Sequence, residues 1–153
     1  MDPLDRRPDP IDPDALVLIV VGAHLAAERW DRPLATHLAG CLAGLNTTDD
    51  PADQLCPMVC TDLWYLNDDT LRRRPTISLG APDVNALTAY WADKLPSAYT
   101  VEGVLTVQLD VEWNEPAVAC WGISPSATAR AVQAFLDRYA KGFMHRARTG
   151  MGR

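Results

Sequence analysis

The segment at residues 76–85, with the sequence TISLGAPDVN, constrains the fold more than any other part of the chain. A short apolar strand ends at Gly80, and Pro82 then opens a helix. Glycine permits a sharp turn out of a strand, and proline fits the first helical turn, where no backbone N–H is needed. A strand that leads directly into a helix is typical of an α/β domain. The N–H groups at such a helix start also attract anions and polar ligands.

The N-terminal half carries two more segments of this kind. The run ALVLIVV at residues 15–21 is aliphatic throughout, which favours a central strand covered on both faces. Asp31 is predicted to cap the next helix, with Pro33 in its first turn. The apolar face of that helix is formed by Leu34, Leu38, Leu42 and Leu45. Residues 57–63 predict a second strand that continues to Asn67.

The C-terminal half repeats the alternation and ends in a hairpin and a helix. The helix after residue 79 has an apolar face made of Val84, Leu87, Trp91 and Leu95. Strands at 101–110 and 117–123 are predicted to pair as an antiparallel hairpin. Ser124 caps the last helix, and Pro125 begins it. The order β-α-β-α-β-α-β-β-α predicts a three-layer Rossmann-like or flavodoxin-like α/β domain with a mostly parallel sheet.

Length, charge and apolar content bound the organisation of the chain. With 153 residues, 48% of them hydrophobic, it has room for one α/β domain, placed at 15–143. Residues 1–14 predict an irregular, acidic, proline-rich arm, and residues 144–153 predict a basic, flexible tail. The net charge of −6 argues against a nucleic-acid or membrane-surface binder. A cytoplasmic location is expected, since no signal-peptide pattern precedes the first apolar run.

The four cysteines and three histidines do not form a strong metal motif. Cys56 and Cys60 make one C-x3-C pair, but no second pair follows, whereas structural zinc sites show two sets of paired ligands. Buried, reduced thiols are therefore expected, with no metal and no cofactor. Metal binding by this pair together with a histidine stays open as a weaker alternative.

The edge of the sheet where parallel strands end is the predicted ligand site. The ligand-binding candidates follow those strand ends and are Gly22, Asp62, Asn67, Gly80, Asp83, Asn85 and Ser124. Asp62 and His24 are also candidates for a catalytic acid or base. The alternatives are structural, because Asp62 can cap a turn, Asn85 can hold its loop, and His24 can be an ordinary loop residue.

Five tryptophans are more than so small a core requires. Trp113 falls in a predicted hairpin turn and Trp30 near a helix break, so both are candidates for exposed interface residues. The alternative is that they pack against the outer helices. If they are exposed, the chain is expected to bind a protein partner or to form a homo-oligomer.

Part of the chain, from Thr76 to Phe135, resembles a known type of module. The sequences ISLGAPDVN at 77–85 and WGISPSATARA at 121–131 are similar to the Gly-Gly-Pro-x-x-Asn element and the later helix start of Rossmann-like modules in S-layer-like proteins. Ala81 stands where that element has its second glycine. The resemblance implies a Rossmann-like fold, and the family's role is the assembly of surface coats.

Two functional hypotheses remain open from the residues. The first is a non-catalytic α/β subunit or partner-binding module, with a small polar or anionic ligand at the strand-end rim. The second is a small hydrolase or transferase that uses Asp62 as its acid or base, with Asn85 and His24 positioning a polar substrate. Glycine-rich phosphate loops, G-x-S-x-G elbows and H-E-x-x-H motifs do not occur in the sequence.

Overall fold

A six-stranded sheet with helices on both faces forms the described part of the chain, residues 11–46, 50 and 54–150 of a computed structural model. The strands are β1 (Leu16–Val21), β2 (Cys56–Thr61), β3 (Thr76–Leu79), β4 (Ser97–Val101), β5 (Leu105–Leu109) and β6 (Ala117–Gly122). The helices are α1 (Arg32–Ala43), α2 (Asp62–Leu66), α3 (Asp69–Arg72), α4 (Ala86–Trp91), α5 (Pro125–Arg138) and α6 (Ala140–Thr149). Within the described ranges, no helix is both long enough and apolar enough to cross a bilayer.

The strands are ordered β2-β1-β3-β6-β5-β4 across the sheet. The first four in this order run parallel, with Val21 opposite Thr61 and Leu79 opposite Cys120. Strand β5 pairs antiparallel with both β6 and β4. The β5–β6 pair is the predicted hairpin, which is thereby confirmed. The prediction of a mostly parallel α/β sheet with an antiparallel C-terminal part is confirmed. The carboxyl ends of four strands therefore lie along one edge.

Strand β1 lies between two hydrophobic cores, one on each face of the sheet. Its odd-numbered residues, such as Ile19, face the core under α1, α5 and α6, and its even-numbered residues, such as Leu18, face the short helices α2, α3 and α4. Every residue of β1 is buried, as the aliphatic run predicted. Each fully buried aliphatic side chain contributes roughly 1.5–3 kcal/mol relative to exposure, so this strand anchors both layers.

The helix after β1 begins earlier than predicted and contains a widened turn. Residues Ala27–Asp31 form a π-helical segment, in which the N–H of Arg32 donates to the carbonyl of Ala27. Pro33 explains this, because it has no N–H and its ring would clash with a carbonyl four residues back in a regular α-helix. The prediction that Asp31 caps the helix is wrong. Its backbone is helical, and its side chain makes no capping bond.

Three boundaries differ from the predictions because local turns intervene. Residues 64–67 do not continue β2, since the hydroxyl of Thr61 accepts from the N–H of Trp64 and starts α2. A turn at Gly103, with φ of +73°, divides the predicted strand 101–110 into β4 and β5. The helix after β3 begins at Ala86 rather than Pro82, because Asn85 is its cap.

The predicted basic tail is wrong over residues 144–149, which belong to helix α6. Its buried face repeats at intervals of three and four residues and consists of Ala140, Phe143, Met144 and Ala147. Arg146 and Arg148 bind the backbone carbonyls of Trp113 and Leu45 instead of extending into solvent. At the other end, Asp12 caps the short 3-10 helix Pro13–Ala15. Residues 1–10 and 151–153 lie outside the described residues.

Candidate functional site

Asp62 connects three segments at the carboxyl edge of the sheet. Its Oδ1 accepts the N–H groups of Ala23 (2.9 Å) and Leu63 (2.7 Å), and its Oδ2 accepts that of Ala86 (2.8 Å). These donors follow β1, start α2 and start α4, so the loops meet at one edge as predicted. Asp62 is only 5% exposed. Since backbone donors occupy both oxygens, the geometry favours the structural alternative for this residue over an acid or base role.

Asn85 binds β1 and β3 to the start of α4. Its amide nitrogen donates to the carbonyls of Val20 and Leu79, both at 3.0 Å. Its amide oxygen accepts the N–H groups of Leu87 (2.9 Å) and Thr88 (3.3 Å). An asparagine side chain has two donors and two acceptor positions, so all of its capacity is used inside the protein. Asn85 therefore holds its loop, and no polar atom of its side chain is left for a ligand.

At Gly22 and Gly80, two glycines of the predicted ligand set, another segment of the chain packs closely against the backbone. A Cβ on Gly22 would lie 1.6 Å from the carbonyl oxygen of Val84, so the loop after β3 packs directly on the loop after β1. Gly80 has φ of +114°, and a Cβ there would lie 2.5 Å from Oδ2 of Asp31. Both positions require glycine, and the second brings a carboxylate onto the end of β3.

Three other predicted residues have local hydrogen-bond partners. The Nδ1 of the exposed His24 accepts the N–H of Ala26 at 3.1 Å. The amide of Asn67 donates to the carbonyl of Leu63 at 2.7 Å, at the end of α2. Ser124 caps α5 as predicted, and its Oγ accepts the N–H of Ala127 at 3.1 Å. These contacts order the loops around the edge.

A cavity of about 150 Å³ lies at this edge, between the loop after β3 and the start of α5. Residues of the helix after β1 close its third side. The residues that line the cavity include Trp30, Asp31, Asp83, Ile123 and Ser124. From the predicted ligand set, Asp83 and Ser124 line this cavity, whereas Gly22, Asp62, Asn67, Gly80 and Asn85 do not. Asp62 and His24 also lie outside it.

Asp31 is the distinctive group of this cavity. It is 6% exposed, and no described residue donates a hydrogen bond or pairs a charge with its carboxylate. Burial raises the pKa of this carboxyl from 3.8 to about 6. A buried carboxylate is normally paired or hydrogen-bonded, because taking it out of water without a partner is costly. An acid with a raised pKa in a cleft is a candidate functional group.

Sequence reasoning missed Asp31 because an aspartate two residues before a proline is the ordinary start signal of a helix. The signal that was available is Pro33, which is compatible either with a helix start or with a widened turn inside a longer helix. Such turns occur often at functional sites. The approach of Asp31 to Gly80 depends on packing between distant segments and leaves no mark in the sequence.

The two predicted interface tryptophans lie in different environments. Trp30 is 48% exposed and lines the cavity, with the guanidinium of Arg29 4.7 Å from its ring centroid. Trp113 is half-buried and packs against the core, where its ring centroid is 5.9 Å from that of Phe143 and its indole nitrogen lies against Gly142. The packing alternative thus applies to Trp113, and only Trp30 remains a candidate for contact with a partner.

The cysteines are free thiols in the structure. Cys60 is buried, and burial raises the pKa of its thiol to about 11, which disfavours the thiolate that a metal requires. Cys56, on the same strand, is exposed. Throughout the described ranges no group of three or more histidine, cysteine, aspartate or glutamate side chains is placed to hold a metal ion.

Replacing Asp31 with asparagine is expected to stabilise the unliganded protein at pH 7 by about 2 kcal/mol. The unfolded chain ionises this carboxyl near 3.8 and the folded protein near 6, so wild-type stability falls as pH rises from about 4 to about 6. Urea unfolding at several pH values measures this, and D31N removes the decline in that window. Asp83 is an exposed acid of the same cavity. Its variant D83N is the matched control and is expected to change the free energy of unfolding by less than about 0.5 kcal/mol. Equal pH profiles for wild type and D31N would contradict the assignment.

Comparison with protein-family models finds none that matches this chain. Comparison with curated proteins likewise finds no significant relative. The predicted resemblance to S-layer-like modules stays a prediction, and the site's function has to be argued from its own geometry.

Proposed function

We propose that this chain is a non-catalytic binding domain whose edge cavity takes a small cationic or hydrogen-bond-donating group onto Asp31. The observation that carries the proposal is the buried carboxylate without a partner, which lines a cavity of about 150 Å³. An ionised Asp31 gains a partner when such a group binds. The free energy that burial costs in the unliganded protein is then recovered as affinity.

The residues that line the cavity favour a cationic ligand, whereas the sequence had suggested a small polar or anionic one. Asp31 and Asp83 both line the cavity and are acidic, and Trp30, whose aromatic ring attracts cations, lines it as well. The cavity, at about 150 Å³, has room for a group as small as a guanidinium or a short alkylammonium.

A second candidate function is acid–base catalysis with Asp31 in the role that the sequence assigned to Asp62. The supporting observation is the pKa of about 6 for Asp31, close to the pH at which a catalytic acid or base works best. The hydroxyl of Ser124, however, already accepts the N–H of Ala127 and contacts the hydroxyl of Ser126. Among the described residues no general base contacts this hydroxyl, so the structure shows no activated nucleophile in the cavity, and binding is the better supported function.

Titration with methylguanidinium and with butylammonium tests the proposal. In 1H–15N spectra at pH 7.5, shifts are expected at Asp31, Gly80 and Ala81, with millimolar affinity. Affinity falls as pH drops through 6, because the carboxyl then becomes neutral. D31N weakens binding at least tenfold, and D83N, which removes the exposed carboxylate of the same cavity, weakens it less than D31N does. Shifts that persist in D31N, or that are spread over the surface, would show that Asp31 is not the site.

A further inference from the structure

Exposed apolar residues lie in the cavity wall and next to it in the chain. Trp30 and Ile123 line the cavity itself, and Ile123 is 73% exposed. Leu25, which is 88% exposed, adjoins Ala26 in the cavity wall. These three residues, Leu25, Trp30 and Ile123, are called the mouth patch below. Leu25 and Trp30 belong to the helical segment after β1, and Ile123 belongs to the loop after β6, so the patch combines two regions that are distant in sequence.

A small cation alone leaves the mouth patch unexplained. The cavity is below the roughly 300–1,000 Å³ of typical metabolite pockets, and a ligand seated in it would not cover Leu25. Arginine and aromatic residues are enriched at interface hot spots, so a carboxylate in a cavity beside exposed apolar residues suits an arginine from a partner protein.

We infer that the cavity receives an arginine side chain from a partner protein, with apolar neighbours of that arginine resting on the mouth patch. This inference rests on the proposed function and names its ligand. A guanidinium can place two parallel N–H groups on the carboxylate of Asp31, which a lysine cannot do. The chain's net charge of −6 favours a basic partner.

The probes are a blocked leucine-arginine-leucine tripeptide and methylguanidinium, titrated in parallel into the full chain. The tripeptide is expected to bind at least tenfold more tightly than methylguanidinium. Citrulline in place of the arginine, which keeps the shape and removes the charge, removes this binding. The variant L25S loses the tenfold advantage but keeps the methylguanidinium affinity, because Leu25 does not line the cavity. V111S, at an exposed apolar position after β5, is the matched control and keeps both affinities.

The outcomes separate this inference from the proposed function. If methylguanidinium binds and the tripeptide binds no more tightly, the partner inference is wrong and the cation site stands. If neither probe binds, both are wrong. Light scattering measures whether the chain forms a dimer, and so tests whether a second copy of this chain supplies the arginine. A dimer that becomes a monomer in D31N would identify self-association and overturn the partner assignment, whereas a wild-type monomer supports a different protein.

Discussion

Replacing Asn85 with alanine will lower the free energy of unfolding by about 4 kcal/mol. The side chain is 1% exposed and makes four hydrogen bonds to backbone groups. Alanine leaves two strand carbonyls and two N–H groups of α4 unpaired in the interior. Each buried group without a partner costs about 1–3 kcal/mol, reduced where the loop relaxes or water enters. Urea unfolding followed by tryptophan fluorescence measures the change.

Two further variants make the Asn85 prediction specific. N85D keeps both acceptors for α4 but turns a carboxylate oxygen toward the carbonyls of Val20 and Leu79, so at pH 7 it should destabilise at least as much as N85A. N67A is the matched control, because Asn67 is exposed and donates one hydrogen bond, and it should cost less than about 1 kcal/mol. A loss of less than 1 kcal/mol for N85A would contradict the structural role.

Replacing Asp62 with asparagine will lower the free energy of unfolding by about 3 kcal/mol, although the two side chains have the same shape. The carboxylate accepts three N–H groups, and an amide must turn its own N–H groups toward at least one of them. Hydrogen bonds to a charged acceptor contribute roughly 1.5–3 kcal/mol each. Hydrogen exchange should also accelerate at the amides of Ala23 and Ala86.

The binding assay separates the roles of the two buried aspartates. D62N is expected to lose stability and, at a temperature where it stays folded, to bind methylguanidinium through Asp31. D31N is expected to gain stability and lose the binding. A D62N protein with wild-type stability and no ligand binding would show that Asp62 is itself the functional group, as the acid–base hypothesis holds.

Elements with a local cause were predictable from the sequence. The bounds of β3, Thr76–Leu79, agree with the prediction, because a proline precedes the strand and a glycine ends it. The start of α5 agrees as well, since Ser124 and Pro125 form its cap and first residue. The meeting of the strand-end loops also followed from the sequence, because parallel strands joined by helices must end at the same edge.

The candidate site could be predicted only in part. Asp83 and Ser124 lie at the cavity, but the sequence also pointed to Asp62 and Asn85, whose polar atoms are used by the backbone. A polar residue at a strand end has the same sequence pattern whether it holds a loop or binds a ligand. Which of these it does depends on the donors that other segments bring within reach.

The sequence by itself determined the class of domain, the central strand and the edge where loops gather, because strand and helix patterns arise from neighbouring residues. Tertiary structure alone decided that Asp31 is buried against Gly80 without a partner, while Asp62 is fully bonded. Both are aspartates beside helix starts. Their difference comes from contacts between segments 24 to 49 residues apart, and burial and hydrogen bonding are properties of such contacts rather than of the local sequence.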